Sequence, residues 1–245
     1  MSDQVDPTTT PRGVAPAVGH EHANVTGGWL RPAVFGAMDG LVSNFALIAG
    51  VAGGSGERST VVLAGLAGLA AGAFSMAAGE YTSVASQAEH ARAEIEVERV
   101  ELVRNPEAEA AELAQTYVDR GLSPELAAEV ARQLHRDPER ALEAHTREEL
   151  GVTLEDLPSA RLAAISSFLA FAVGAVVPLA PYLLGAQTLL PAVVVSLLGL
   201  FAAGAVVTRI TSRPWWYGGT RQLLLGAVAA LLTYGFGTLV GAGLG

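Results

Sequence analysis

The sequence contains no cysteine and no lysine, so all 15 of its basic residues are arginine. The first absence excludes a disulfide framework, an iron–sulfur cluster, a thiolate zinc site and a thiol nucleophile. The second excludes Schiff-base chemistry and the lysine of a Walker A phosphate loop. Charge is scarce too, at 16% of 245 residues, whereas 51% are hydrophobic and the mean hydropathy is +0.38. That balance points to a membrane protein. The charge is also unevenly spread: residues 85–158 hold 18 of the 24 acidic groups and 8 of the 15 basic ones, leaving −10 there and +1 elsewhere. Nucleic acid, which needs a basic surface to replace its counterions, is excluded as a partner.

Four stretches follow in order. Residues 1–28 are rich in Pro, Thr and Gly without apolar periodicity and read as a disordered leader, not a signal peptide. Residues 29–84 hold two apolar runs, about Pro32 to Gly53 and Thr60 to Val84, joined by a Gly-rich turn. Each has the roughly 20 residues that cross a hydrocarbon core. Residues 85–158 form the acidic insert, and nothing breaks the second span before it continues as a charged helix to Arg104. Breaks at Asn105-Pro106, Gly121 to Pro124 and Asp137-Pro138 then predict three or four short helices, with Ser123 and Asp137 as N-caps. Residues 159–245 carry three more spans, about Arg161 to Leu184, Leu189 to Thr208 and Gly219 to Gly243. The expected fold is an all-α membrane protein with five transmembrane helices and a cytosolic helical metal-binding insert between helices 2 and 3. Arg31, Arg161, Arg209, Arg213 and Arg221 flank the insert side and Arg58 the other, which puts the N-terminus and insert in the cytosol and the C-terminus outside. Trp29, Trp215, Trp216 and Tyr217 belong to the same interface.

Two ionisable residues lie within the first two spans. An Asp at the centre of a span costs roughly 2.5 to 3.5 kcal/mol on insertion scales, so such groups mark functional sites by default. Asp39 shares a small or polar stripe with Ser43, Ala46 and Gly50 and so faces the bundle. Glu80 ends a second stripe, Gly68, Gly72, Met76 and Glu80; its plainer alternative is a wetted interfacial residue. For the two glycines helix packing is the favoured reading. A thioether beside carboxylates suits a divalent transition metal, and carboxylates that regain protons when metal leaves suit metal/proton antiport. Pro178 and Pro181 in the third span either free carbonyls toward a cavity or improve packing.

In the insert, Glu94, Glu98 and Glu101 share a helix face, Glu109 and Glu112 form an i, i+3 pair, and His90–Glu94 and His145–Glu149 are i, i+4 pairs. Arg92, Arg99 and Arg104 are placed to neutralise them, which would make this an ordinary solvated surface. Neither an EF-hand loop nor an HExxH motif occurs, so any metal site is assembled between helices.

The runs Gly36-Ala-Met-Asp-Gly-Leu-Val-Ser43, Ser75-Met-Ala-Ala-Gly-Glu-Tyr81, Pro178-Leu-Ala-Pro-Tyr182 and Arg221-Gln-Leu-Leu-Leu-Gly226, in this order, resemble the vacuolar iron transporter family. The resemblance covers about Trp29 to Gly241 and is to a bacterial-type member. It implies five membrane helices, a metal-binding insert, and a homodimer with the membrane path between subunits. It implies export of Fe(II), often Mn(II), from the cytosol against protons, here across the bacterial inner membrane. Zn(II), Co(II) and Ni(II) are further candidate ions, with no tightly bound cofactor and no enzymatic activity. By motif, Asp39 and Met76 match the membrane path, and Glu98, Glu101, Glu109, Glu112 and Glu149 match the insert's metal site. Glu80 and His145 complete the candidate set. Two departures stand out. His145-Thr146 replaces a Met pair, and Gly68 stands where some members have a carboxylate. The competing reading is a membrane-tethered metal sensor or buffer without transport. A carboxylate-bridged ferroxidase is disfavoured because no His lies three residues after a Glu.

Overall fold

The computed structural model describes residues 28–152, 157–211 and 213–244, with the side chains of 209–211 and 244 set aside. The expected leader therefore lies, apart from Gly28, outside the described residues, as does the Arg209 side chain. Eight helices make up the described chain: α1 (Leu30–Gly54), α2 (Arg58–Arg104), α3 (Pro106–Asp119), α4 (Pro124–Leu134), α5 (Pro138–Glu148), α6 (Ala160–Leu183), α7 (Leu190–Thr211) and α8 (Trp215–Leu244). Five of them, α1, α2, α6, α7 and α8, are long and apolar enough to cross a membrane. Helices α3 to α5 form the insert between the second and third of these.

Helix α2 is a single element of 47 residues, about 70 Å at 1.5 Å rise per residue. It ends where Pro106 lacks the N–H that would continue the ladder and forces Asn105 out of helical geometry. Asn105 Nδ2 also donates to Glu101 Oε2 at 2.7 Å. The predicted caps form: Ser123 Oγ accepts from the Leu126 N–H, and Asp137 Oδ1 accepts from the N–H groups of Glu139 and Arg140. A third cap, Ser159 accepting from Leu162, starts α6. The insert has a small core of Leu113, Ala131 and Ala144, bordered by Tyr117 and Leu134. Arg99–Glu139 and Arg120–Glu148 tie α2 and α3 to α5.

Helix α1 is the axis of the bundle and packs against α2, α6, α7 and α8. Between α1 and α6 the backbones nearly touch. A Cβ at Gly36 would sit 2.6 Å from the Ser167 carbonyl, and one at Gly40 would overlap the Phe171 carbonyl. Small residues at a four-residue spacing permit this approach, and apolar lipid gives packing the main role in holding such helices together. Gly50 and Gly54 repeat the arrangement against Gly237 and Gly241 of α8, where Thr233 Oγ1 donates to the Ala46 carbonyl at 2.7 Å. Across the bundle, Arg58 Nε donates to the Tyr182 carbonyl at 2.9 Å.

Helix α6 runs through both of its prolines. Pro178 is buried, and Leu179 and Tyr182 pack with Ile48, Val61 and Ala192, so the segment serves packing. The outward residues include Phe35, Leu63, Phe74, Leu198, Leu231 and Phe236, an apolar exterior suited to lipid. Trp29, Trp215, Trp216 and Tyr217 are exposed near the starts of α1 and α8.

Substituting Gly40 by leucine is expected to lower the melting temperature of the detergent-purified chain, with a cost of about 1–3 kcal/mol typical of overpacking. Gly235→Ala, whose added carbon meets nothing within 4 Å, leaves it unchanged. Differential scanning fluorimetry of the two variants separates these outcomes.

Candidate metal centre

Two clusters bring together the chemistry-bearing residues. The first lies in the insert. Glu98 comes from the end of α2, Glu109 from the first turn of α3, and His145 and Glu149 from the end of α5. His145 Nδ1 lies 2.8 Å from Glu149 Oε1, 3.0 Å from Glu98 Oε1 and 3.8 Å from Glu109 Oε2. One ligand atom each from Glu98, Glu109 and His145 falls within a 4.8 Å span. The His145 side chain is fully buried, and those of Glu98 and Glu109 are 13% and 12% exposed. Glu101 and Glu112 stand at the rim, close enough for their charges to act on Glu109.

Among the described residues no arginine pairs with Glu98, Glu109 or Glu149, whose basic neighbour within 4.0 Å is His145. Arg99 instead joins Glu96 and Glu139, so the neutralisation considered from the sequence does not reach this pocket. The pair His90–Glu94 is exposed, at 3.9 Å. Of His145-Thr146, only the imidazole faces the carboxylates, because Thr146 Oγ1 donates back to the Glu143 carbonyl.

Burial is the main reason that Glu98 and Glu109 have pKa values above the ordinary glutamate value. Neighbouring carboxylates push further the same way, Glu149 foremost on Glu98 and Glu112 on Glu109, while His145 opposes both. His135, absent from the sequence-based candidates, is the second imidazole here: its Nε2 lies 3.0 Å from His145 Nε2. Burial, then the charge of His145, lowers its pKa, which favours His135 as the neutral acceptor. His145 Nε2 then donates to it, while Nδ1 on the opposite side of the ring faces three carboxylate oxygens. Such an array of electron pairs is complementary to a proton or a metal cation, and a fixed outer hydrogen bond is how metal-binding imidazoles are commonly oriented.

The second cluster lies inside the apolar bundle. Asp39, Ser43, Asn44 and Leu47 of α1, Gly68, Gly72, Ser75 and Met76 of α2, and Phe171 of α6 line a cavity of about 240 Å³. Asp39 also borders a cavity of about 650 Å³ with Arg31, Met38, Arg221 and Gln222. Asp39 and Met76 thus line the same cavity. Gly68 and Gly72 make room for the side chains of Leu47 and Phe171 and border the cavity, a different use from close backbone packing. Glu80 does not line the 240 Å³ cavity. It is buried with Oε2 4.0 Å from Arg31 Nη1, so the wetted interfacial alternative does not describe it.

Asn44 was also missed from sequence. It is 2% exposed, and its Nδ2 donates to the Ala175 carbonyl at 2.7 Å. A lone Asn within an apolar run was the available signal.

The profile of the VIT family matches residues 30–238. "Vacuolar iron transporter 1" of Oryza sativa subsp. japonica is 33% identical, covering 90% of each chain. "Vacuolar iron transporter" of Acanthamoeba castellanii is 40% identical over 93% of this chain and 85% of its own. "Vacuolar iron transporter 1" of Arabidopsis thaliana is 32% identical over 88% of each. With a bundle of five apolar helices and a match spanning α1 to α8, the chain belongs to the VIT family.

Proposed function

We propose that this protein is a proton-coupled antiporter that exports Fe(II), and Mn(II), from the cytosol, with the insert collecting metal for a path through Asp39 and Met76. The observation that carries this reading is that one continuous helix, α2, bears both Met76 of the membrane cavity and Glu98 of the insert cluster. Family membership and the names of the relatives favour iron as the cargo.

The insert site combines carboxylate oxygens with one imidazole, a donor set suited to first-row divalent ions. Burial and neighbouring carboxylates make the empty site hold protons on Glu98 and Glu109 to a higher pH than an ordinary glutamate does, and a divalent cation displaces them. In the membrane, Asp39 supplies one negative charge and Met76 a soft donor. Glu80, one turn beyond Met76 and beside Arg31, stands on the side of the bundle toward the insert and hands the ion between the two regions. The protein works as a homodimer in the cytoplasmic membrane, with N-terminus and insert cytosolic and the C-terminus outside. The positive-inside rule and the exposed apolar faces of α2 and α8 support that arrangement.

In proteoliposomes with Fe(II) supplied on the insert side, Asp39→Ala is expected to reduce uptake to that of protein-free vesicles. Met76→Leu, which keeps volume but removes sulfur, lowers it roughly tenfold, the lower end of losses seen around metal sites. Wild-type rates in Asp39→Ala would count against the path, and saturable binding without flux would favour the sensor alternative.

The raised folded-state pKa values of Glu98 and Glu109 make the empty insert most stable below the unfolded value near 4.5, with stability lost as pH rises through the raised values. Mn(II) is expected to restore it and EDTA to reverse the effect in thermal melts taken across that window. Calorimetry taken across the same window in buffers of different ionisation enthalpy is expected to detect proton release on Mn(II) binding, reduced in Glu109→Gln. Buffer-independent heats would remove the exchange mechanism from the insert.

A further inference from the structure

The buried carbonyl oxygen of Asn44 has no assigned role. Its Nδ2 donates to the Ala175 carbonyl at 2.7 Å, and because the nitrogen is the only donor of the amide side chain, this contact fixes which amide atom points which way. The other atom, Oδ1, is fully enclosed and has no hydrogen-bond partner. An unpaired buried acceptor is unfavourable, the more so in an apolar bundle. Asn44 lines the 240 Å³ cavity with Asp39 and Met76. Gly68 leaves room beside that oxygen: a Cβ at position 68 would lie 3.0 Å from Oδ1, with the flexible end of Leu47 as its other close neighbour. The Ser43 hydroxyl is already committed to the Asp39 carbonyl at 2.6 Å.

We propose that Asn44 Oδ1 is a ligand of the divalent cation in this cavity, a neutral oxygen that joins the Asp39 carboxylate and the Met76 thioether. The proposal rests on the transport reading above. A cavity of this size holds an ion with several of its waters. With one carboxylate and two neutral donors, the bound divalent ion keeps a net positive charge, which limits how tightly it is held and lets it leave, as conduction requires. The carbonyl oxygen also favours harder ions such as Mn(II) over softer ones, offsetting the preference of the thioether.

The test is Mn(II) and Zn(II) uptake by proteoliposomes of the full chain, read as KM and maximal rate, for wild type, Asn44→Ala, Asn44→Asp and Gly68→Ala. Gly68→Ala covers Oδ1 without removing the Asn44–Ala175 hydrogen bond. Roughly tenfold increases in KM for Mn(II) are expected in Asn44→Ala and Gly68→Ala, smaller ones for Zn(II), and retention of a low Mn(II) KM in Asn44→Asp, whose acid group keeps an oxygen toward the cavity. If Asn44→Ala does not fold, as judged by size-exclusion chromatography, Gly68→Ala decides. An unchanged KM in a folded Asn44→Ala or in Gly68→Ala overturns the proposal, the oxygen then being satisfied by water alone. Failure of the wild-type protein to move metal would overturn the transport reading and this one with it; wild-type transport with unchanged variants overturns this one only.

Discussion

A helix in hydrocarbon cannot leave its backbone hydrogen bonds unmade, so α2, once it has begun to cross, must continue until it reaches water. Here it continues much further, to Asn105, and the rest of the molecule is referred to that one rod. At 100° per residue, Glu80 and Glu98 lie five full turns apart on one face, separated by about 27 Å, with Met76 roughly 40° away and about 33 Å from Glu98. The two candidate clusters therefore lie along one side of a rigid element. The distance between them excludes direct ligand exchange within a subunit, so the proposed hand-off requires the ion to travel between the clusters.

The two clusters are built in different ways. Among the described residues the insert cluster of Glu98, Glu109 and Glu149 has no arginine partner, and His145 is the basic group that faces it. The membrane cavity cannot gather charge in that way, because each buried carboxylate in lipid is costly. It holds one, Asp39, and makes up its lining with thioether, amide and hydroxyl groups. The glycine contacts of α1 with α6 and α8 matter to this second cluster, since they fix the axis from which Asp39 and Asn44 project.

Most of the architecture was readable from the sequence because it rests on local signals. Apolar run lengths give the five spans, and the continuity of α2 follows from the absence of any breaker between Gln87 and Arg104. Ser123-Pro124 and Asp137-Pro138 give their helix starts through short-range caps. Helical spacing also paired Asp39 with its stripe and His145 with Glu149. Contacts between distant parts of the chain carry no such signal. Asn44 meets Ala175 across 131 positions, so neither its buried state nor the direction of its amide could be inferred from its neighbours. His135 follows the end of α4, and its approach to His145 depends on the turn at Asp137-Pro138. The burial of Glu80 beside Arg31 likewise depends on how α1 and α2 cross.

The central claim is that metal and protons exchange through one protein, and both fluxes can be followed in the same vesicles. Proteoliposomes of the full chain, carrying a lumenal pH indicator and a metal-sensitive dye, would be given Fe(II) anaerobically on the insert side. The account predicts metal uptake accompanied by lumenal alkalinisation, both slowed when the proton gradient is collapsed. Metal uptake with no change in lumenal pH, and at a rate indifferent to the gradient, would contradict it.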